Sequence, residues 1–152
     1  MGAIADVGAP ALVRNEDVIA AAGVDERTFD QVRARETNEL ARRREAYLAG
    51  RAPVAVNGKT AIVVDDGVAT GATTRAALRA VRALKPKRVV LAVPVAPLDT
   101  LESLRPEADE IVCLYPREDF IAIGVFYEDF SQIGDAEVIA LLDAANALRD
   151  VV

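Results

Sequence analysis

Four apolar residues, Ala61-Ile62-Val63-Val64, run without a break into two aspartates, Asp65 and Asp66. The small-residue loop Gly67-Val68-Ala69-Thr70-Gly71-Ala72-Thr73 follows directly. A short, partly β-branched apolar run predicts a strand of a parallel sheet, buried on both faces. The next stretch puts Ala77, Leu78, Val81 and Leu84 on one helical face and Arg75, Arg79 and Arg82 on the other, read as surface, until Pro86 ends it. Strand, loop and helix in this order form a βα unit. Ligands of open parallel sheets bind where such loops leave the carboxyl ends of the strands.

The rest of the chain repeats the alternation. Val89 to Val95 and Ile111 to Leu114 predict two more buried strands. Asp99 to Leu104 predicts a short helix with Asp99 as its cap. Asp135 caps a last helix with the stripe Val138, Leu141, Leu142, Ala145 and Leu148. Ahead of the loop, Gly2 to Val13 predicts two extended pieces broken at Gly8-Ala9-Pro10. A short helix over Val18 to Ala22 follows, capped by Asn15 and stopped at Gly23. A longer one runs from about Asp25 to Leu48, with few apolar positions and an arginine-rich face. Gly50-Arg51-Ala52-Pro53 and Asn57-Gly58 carry turn chemistry. The expectation is an α/β fold, a parallel sheet flanked by helices, in one domain over residues 1–152.

Composition removes several chemistries. There is no histidine, hence no imidazole base or metal ligand. The single cysteine, Cys113, cannot form an internal disulfide and reads as a small buried hydrophobe in Ile111-Val112-Cys113-Leu114. A net charge of −6 argues against a nucleic-acid partner. No apolar stretch is long enough to span a bilayer, and Asp6 falls where a signal peptide needs an apolar run. A cytoplasmic protein without membrane attachment is expected. Residues 31–88 carry 13 basic and 5 acidic groups, against 3 and 13 in residues 89–152. A basic middle in an acidic chain marks a local anion site or a solvated helix face.

The loop favours the anion site. Its free amides and the helix N-terminus behind them cradle an anion, and the Thr70 and Thr73 hydroxyls add donors. The helix-end field contributes only about 0.3–1 kcal/mol, so directed hydrogen bonds must supply most of the affinity. Two carboxylates beside a phosphate need a donor or a cation between them. A sugar diol or a Mg²⁺ ion satisfies that need. Phosphate, diol and magnesium together describe a ribose phosphate.

The stretch resembles the phosphoribosyl-pyrophosphate (PRPP) motif of the type I phosphoribosyltransferases: apolar strand, two acids, two mostly apolar residues, then a Thr/Ala-Thr-Gly-small-Thr loop. Arg14-Asn15-Glu16-Asp17, the Arg/Glu-rich helix, Val93-Pro94-Val95-Ala96-Pro97 and Tyr127-Glu128-Asp129-Phe130-Ser131-Gln132 extend the likeness to a bacterial group of such proteins. The resemblance implies a phosphoribosyltransferase-like (Rossmann-like) core. It implies magnesium-dependent transfer of ribose 5-phosphate from PRPP to a nitrogen nucleophile, typically of a nucleobase, with release of pyrophosphate. Asp65 and Asp66 are then the catalytic acids that hold the ribose hydroxyls. Gly67, Val68, Ala69, Thr70, Gly71, Ala72 and Thr73 hold the terminal phosphate, and Mg²⁺ is bound through substrate. Some relatives place an acid at the position of Ala69 as base toward the nucleobase, a role alanine cannot take.

One departure accompanies the resemblance. No earlier strand with an Arg-Gly-Gly-like pyrophosphate loop precedes Lys59. The expected sheet therefore lacks its first strands, and its open edge invites pairing with a second copy, giving a homo-oligomer, expected as a dimer. The alternative is a non-catalytic PRPP- or nucleotide-binding regulatory module of the same fold. A nucleoside triphosphatase lacks its G-x-x-x-x-G-K-[ST] loop, and a nicotinamide-binding domain lacks G-x-G-x-x-G. Among secondary candidates, Arg33, Arg35, Arg42, Arg43 and Arg44 read as a solvated face, with closure over pyrophosphate as the rival. Tyr127 and Phe130 suit a base or a core equally. Glu128 and Asp129 read as a solvated turn, and Val93 to Pro97 as a pocket wall or a plain loop.

Overall fold

The computed structural model describes residues 2–6, 10–48, 50 and 54–149. Strands β1 (Gly2–Asp6) and β2 (Pro10–Arg14) pair antiparallel as a separate hairpin. Of the break expected at Gly8-Ala9-Pro10, Gly8 and Ala9 lie outside the described residues, and Pro10 opens β2. Helices α1 (Glu16–Ala21) and α2 (Glu26–Leu48) follow. Asn15 caps α1 by accepting from Val18 N at 3.2 Å, and Asp25 accepts from Thr28 N at 2.7 Å just ahead of α2.

Three parallel strands form the sheet: β3 (Thr60–Val64), β4 (Arg88–Pro97) and β5 (Glu110–Arg117), in the order β3-β4-β5. Helix α3 (Ala72–Ala83) joins β3 to β4. Helix α4 (Leu98–Leu104) and a 3₁₀ turn at Arg105–Glu107 join β4 to β5. A second 3₁₀ turn, Ile123–Phe126, and helix α5 (Asp135–Arg149) complete the described chain. The architecture is the expected α/β one, a parallel sheet with flanking helices. Leu78 of α3, Leu91 and Val93 of β4, and Leu101 and Leu104 of α4 close one core with Val68, and the hairpin packs against the outside of α3. Cys113 lies half-buried against this core, and burial pushes its thiol pKa up.

The structure corrects three expectations. β3 and β5 are not buried on both faces. Their inward residues, Val63, Ile111 and Cys113, meet the core, whereas Ile62 (62% exposed), Val64 (73%), Val112 and Leu114 (67%) point to the opposite face. Strand side chains alternate, and no described element covers that second face. Only β4, between two neighbours, is buried nearly throughout. The α5 stripe is also not a core stripe, since Leu141 and Leu142 are exposed. Asp99 does not cap α4. Strand β4 runs straight into the helix, so Pro97 takes the cap position and Asp99 lies in the first turn. The arginines of α3 lie toward solvent as expected, with Arg79 and Arg82 exposed, and they are paired there. Arg75 and Arg79 converge on Glu107, whose side chain is only 14% exposed, and Arg82 bonds Asp109 at 2.8 Å. They clamp α3 to the start of β5.

The arginines of α2 form a solvated ion ladder. Arg43 meets Glu39 as the expected i,i+4 pair, Arg42 bridges Glu39 and Asp135, and Arg33 meets Asp30. Between them Arg42 and Arg43 hold Glu39 well below the usual carboxylate range, at about 2.

Candidate functional site

The loop after β3 leaves the carboxyl edge of the sheet beside the ends of β4 and β5. It is anchored from both sides. Val68, 2% exposed, donates its N–H to Val95 O at 3.0 Å. Thr100 Oγ1 donates to Ala69 O at 2.9 Å, fixing the peptide after Ala69 with its N–H face free. Gly71 has φ +74° as the residue before α3, a conformation that costs other L-residues roughly 1–2 kcal/mol. A Cβ there would lie 3.1 Å from Thr100 Cγ2. Gly67 is glycine for a different reason: a Cβ would fall 2.8 Å from Ile123 Cγ2 and 3.1 Å from Val95 Cγ1.

Within this frame the N–H groups of residues Ala69 to Thr74 have no hydrogen-bond partner among the described residues. Helix starts always leave orphan donors. Here they continue into the unbonded N–H groups of Ala69, Thr70 and Gly71, so one row of donors results. A cleft of about 220 Å³ is lined by Asp65, Asp66 and the loop through Thr74, with Ile123 as its far wall. The structure thus brings all nine predicted site residues, Asp65 through Thr73, to one cleft. Asp65 is half-buried and accepts from Asp66 N at 3.1 Å. Burial, more than the neighbouring charge of Asp66, raises its pKa above the ordinary aspartate range. Asp66 is exposed.

Other candidates fall elsewhere. Tyr127 donates its hydroxyl to Asp66 O at 2.6 Å, and its ring rests 5.1 Å from that of Phe130. The two half-exposed rings brace the acidic pair from outside rather than filling a core. Asp129 accepts from Ser131 N at 2.9 Å, which leaves it in the solvated turn expected of it. Val95 backs the loop, so the β4 end is a wall of the site.

Thr100, Ile123 and the Tyr127 hydroxyl are the residues that the sequence did not announce. Thr100 lies 31 positions from Ala69 and Tyr127 61 from Asp66, so no local pattern connects them. A hydroxyl at the first turn of the helix after the next strand was the one available signal for Thr100.

The chain is similar to known proteins. The family model described as "Phosphoribosyl transferase domain" matches residues 11–130. Two Mycobacterium tuberculosis proteins, from strains CDC 1551 / Oshkosh and H37Rv, are each named "Putative phosphoribosyl transferase". Each is 41% identical over 145 residues, 95% of this chain. The chain spans about a third of their length (32%). The crystal structure of TT1426 from Thermus thermophilus superposes with a TM-score of 0.70 at 34% identity, covering 93% of this chain and 73% of that one. Among the described residues no helix is long and apolar enough to cross a membrane. An acid pair and an amide-rich loop at the edge of a parallel sheet, within a family match over most of the chain, lead to one conclusion: the chain belongs to the phosphoribosyl transferase domain family.

Proposed function

We propose that the cleft binds the ribose 5-phosphate portion of PRPP and supports its magnesium-dependent transfer to a nitrogen nucleophile of the nucleobase kind, with release of pyrophosphate. One observation carries this reading: the unbonded N–H row from Ala69 to Thr74 and the aspartates Asp65 and Asp66 line the same cleft. The amides and the Thr70 and Thr73 hydroxyls take the terminal phosphate. The aspartates accept from the ribose 2- and 3-hydroxyls and favour positive charge on the ring as the anomeric bond loosens. No protein nucleophile is needed, so positioning is the main contribution of the chain.

Among the described residues no three carboxylate, imidazole or thiol groups converge. The donor set suits Mg²⁺, which binds through one or two carboxylates together with substrate oxygens. Asp65 and Asp66 would hold it through the diol, and when bound it neutralises charge on the departing pyrophosphate. The open β3 edge and the apolar face bearing Ile62 and Val64 support self-association of the chain. Calorimetry of ribose 5-phosphate with Mg²⁺ tests the site. Wild type is expected to bind and the Asp65→Asn/Asp66→Asn double variant to lose at least tenfold. Equal affinity overturns the reading. Pyrophosphate release from PRPP separates a transferase from a binding module.

A further inference from the structure

Two hydroxyls from distant segments hold two carbonyls of the site loop. Tyr127 Oη donates to Asp66 O at 2.6 Å, and Thr100 Oγ1 donates to Ala69 O at 2.9 Å. Asp99 Oδ1, 3.4 Å away, is the more distant acceptor for the Thr100 hydroxyl, whose single proton serves the shorter bond. Between these points Val68 N donates to Val95 O at 3.0 Å. The loop is thus pinned at Asp66, Val68 and Ala69 by residues that do not themselves line the ribose cleft.

A trans peptide is planar, and its C=O and N–H point in opposite directions. Fixing Asp66 O therefore aims the Gly67 N–H away from Tyr127, and fixing Ala69 O aims the Thr70 N–H away from Thr100. Neither N–H has a hydrogen-bond partner among the described residues, and Gly67 and Thr70 both line the cleft. Tyr127 is itself held. Its ring lies 5.1 Å from that of Phe130, and Phe130 fits only because Gly124 has no side chain: a Cβ there would fall 2.9 Å from Phe130 Cδ1. From the same turn Ile123 meets Gly67, so one segment grips both residues of the Asp66–Gly67 peptide. The N–H of Asp66 is engaged as well, by Asp65 Oδ1 at 3.1 Å. The acid pair and the peptide that follows it are thus one braced unit, whereas the peptide after Ala69 is held from α4.

Resting on the ribose 5-phosphate reading of the cleft, we propose that Tyr127 and Thr100 are positioning residues with separate tasks: Tyr127 sets the acid pair against the sugar diol, and Thr100 sets the amide row against the phosphate. Neither touches the ligand. Each acts through the carbonyl it holds, and the two ends of one ligand are governed by different segments of the chain. Removing either hydroxyl leaves that carbonyl without its partner and frees its peptide to rotate. The end of the ligand gripped there then loses about fivefold in affinity, the worth of one neutral hydrogen bond.

The test compares two ligands on the full chain: ribose 5-phosphate with Mg²⁺ by calorimetry, and inorganic phosphate by ³¹P NMR titration, which reads weak binding. Tyr127→Phe keeps the ring against Phe130 and removes only the hydroxyl. It should weaken ribose 5-phosphate about fivefold and leave inorganic phosphate within about twofold of wild type. Thr100→Val keeps the branched shape and should weaken both ligands about fivefold, while Thr100→Ser, which retains the hydroxyl, should bind both like wild type. A merely structural role for Tyr127 would weaken the two ligands together and would not split them. The assignment is overturned if Tyr127→Phe loses both ligands equally or neither, if Thr100→Val binds phosphate like wild type, or if Thr100→Ser behaves like Thr100→Val. It is also overturned if wild type binds ribose 5-phosphate but not inorganic phosphate, because the two ends are then not separable. If ribose 5-phosphate itself fails to bind wild type, the underlying reading falls and this one with it.

Discussion

Gly71→Ala isolates how the phosphate loop is held open. Two costs add at this position. The φ of +74° places an alanine in the left-handed region, at roughly 1–2 kcal/mol. Its new Cβ also lies 3.1 Å from Thr100 Cγ2, inside ordinary van der Waals distance, which adds up to about 1 kcal/mol of crowding. The expected total is about 1–3 kcal/mol, a fall in Tm of roughly 2–12 °C for a chain of this length. A double-mutant cycle separates the two costs. Thr100→Ser removes Cγ2 but keeps the hydroxyl that donates to Ala69 O. In that background Gly71→Ala should lose only the backbone part, about 1–2 kcal/mol. The assay is urea unfolding of the four proteins, with ribose 5-phosphate calorimetry alongside. Affinity should fall at least fivefold in Gly71→Ala, because the amide row loses its curvature. An unchanged midpoint for Gly71→Ala would refute the left-handed argument. Identical costs in both backgrounds would refute the contact with Thr100.

Two further outcomes follow from burial. Asp65 has its pKa raised by desolvation, so its ionised form is disfavoured in the folded chain. The destabilisation is present above the folded pKa and disappears as pH falls through it. Asp65→Asn should therefore raise the Tm of the unliganded protein slightly at neutral pH, by about 0.5 kcal/mol or less at this half-exposed site, and leave it unchanged in acid. In the same acidification, ribose 5-phosphate affinity of wild type should begin to fall above the ordinary aspartate range, which a pH series of titrations reads directly. For the sheet edge, light scattering across a concentration series should show association by wild type. Ile62→Lys, at a 62% exposed position, should shift it to monomer without lowering Tm, whereas a monomer at every concentration would remove the case for self-pairing.

What the linear order of residues decides here is local. Ala61 to Thr74 encodes strand, acid pair, glycine-permitted turn and helix start, because each depends on neighbours within a few positions. That suffices to name Asp65 through Thr73 before any coordinates exist. The same holds for Asn15 as a cap and for the Glu39–Arg43 pair. Burial is different, since it depends on what another part of the chain lays over a residue. The apolar character of Ile62 and Val64 does not reveal that nothing described covers their face, and the arginines of α3 do not reveal Glu107. Thr100 under Ala69 and Tyr127 on Asp66 likewise join segments far apart in sequence. The tertiary structure alone decides these contacts, and with them which groups of a locally encoded loop are left free to bind.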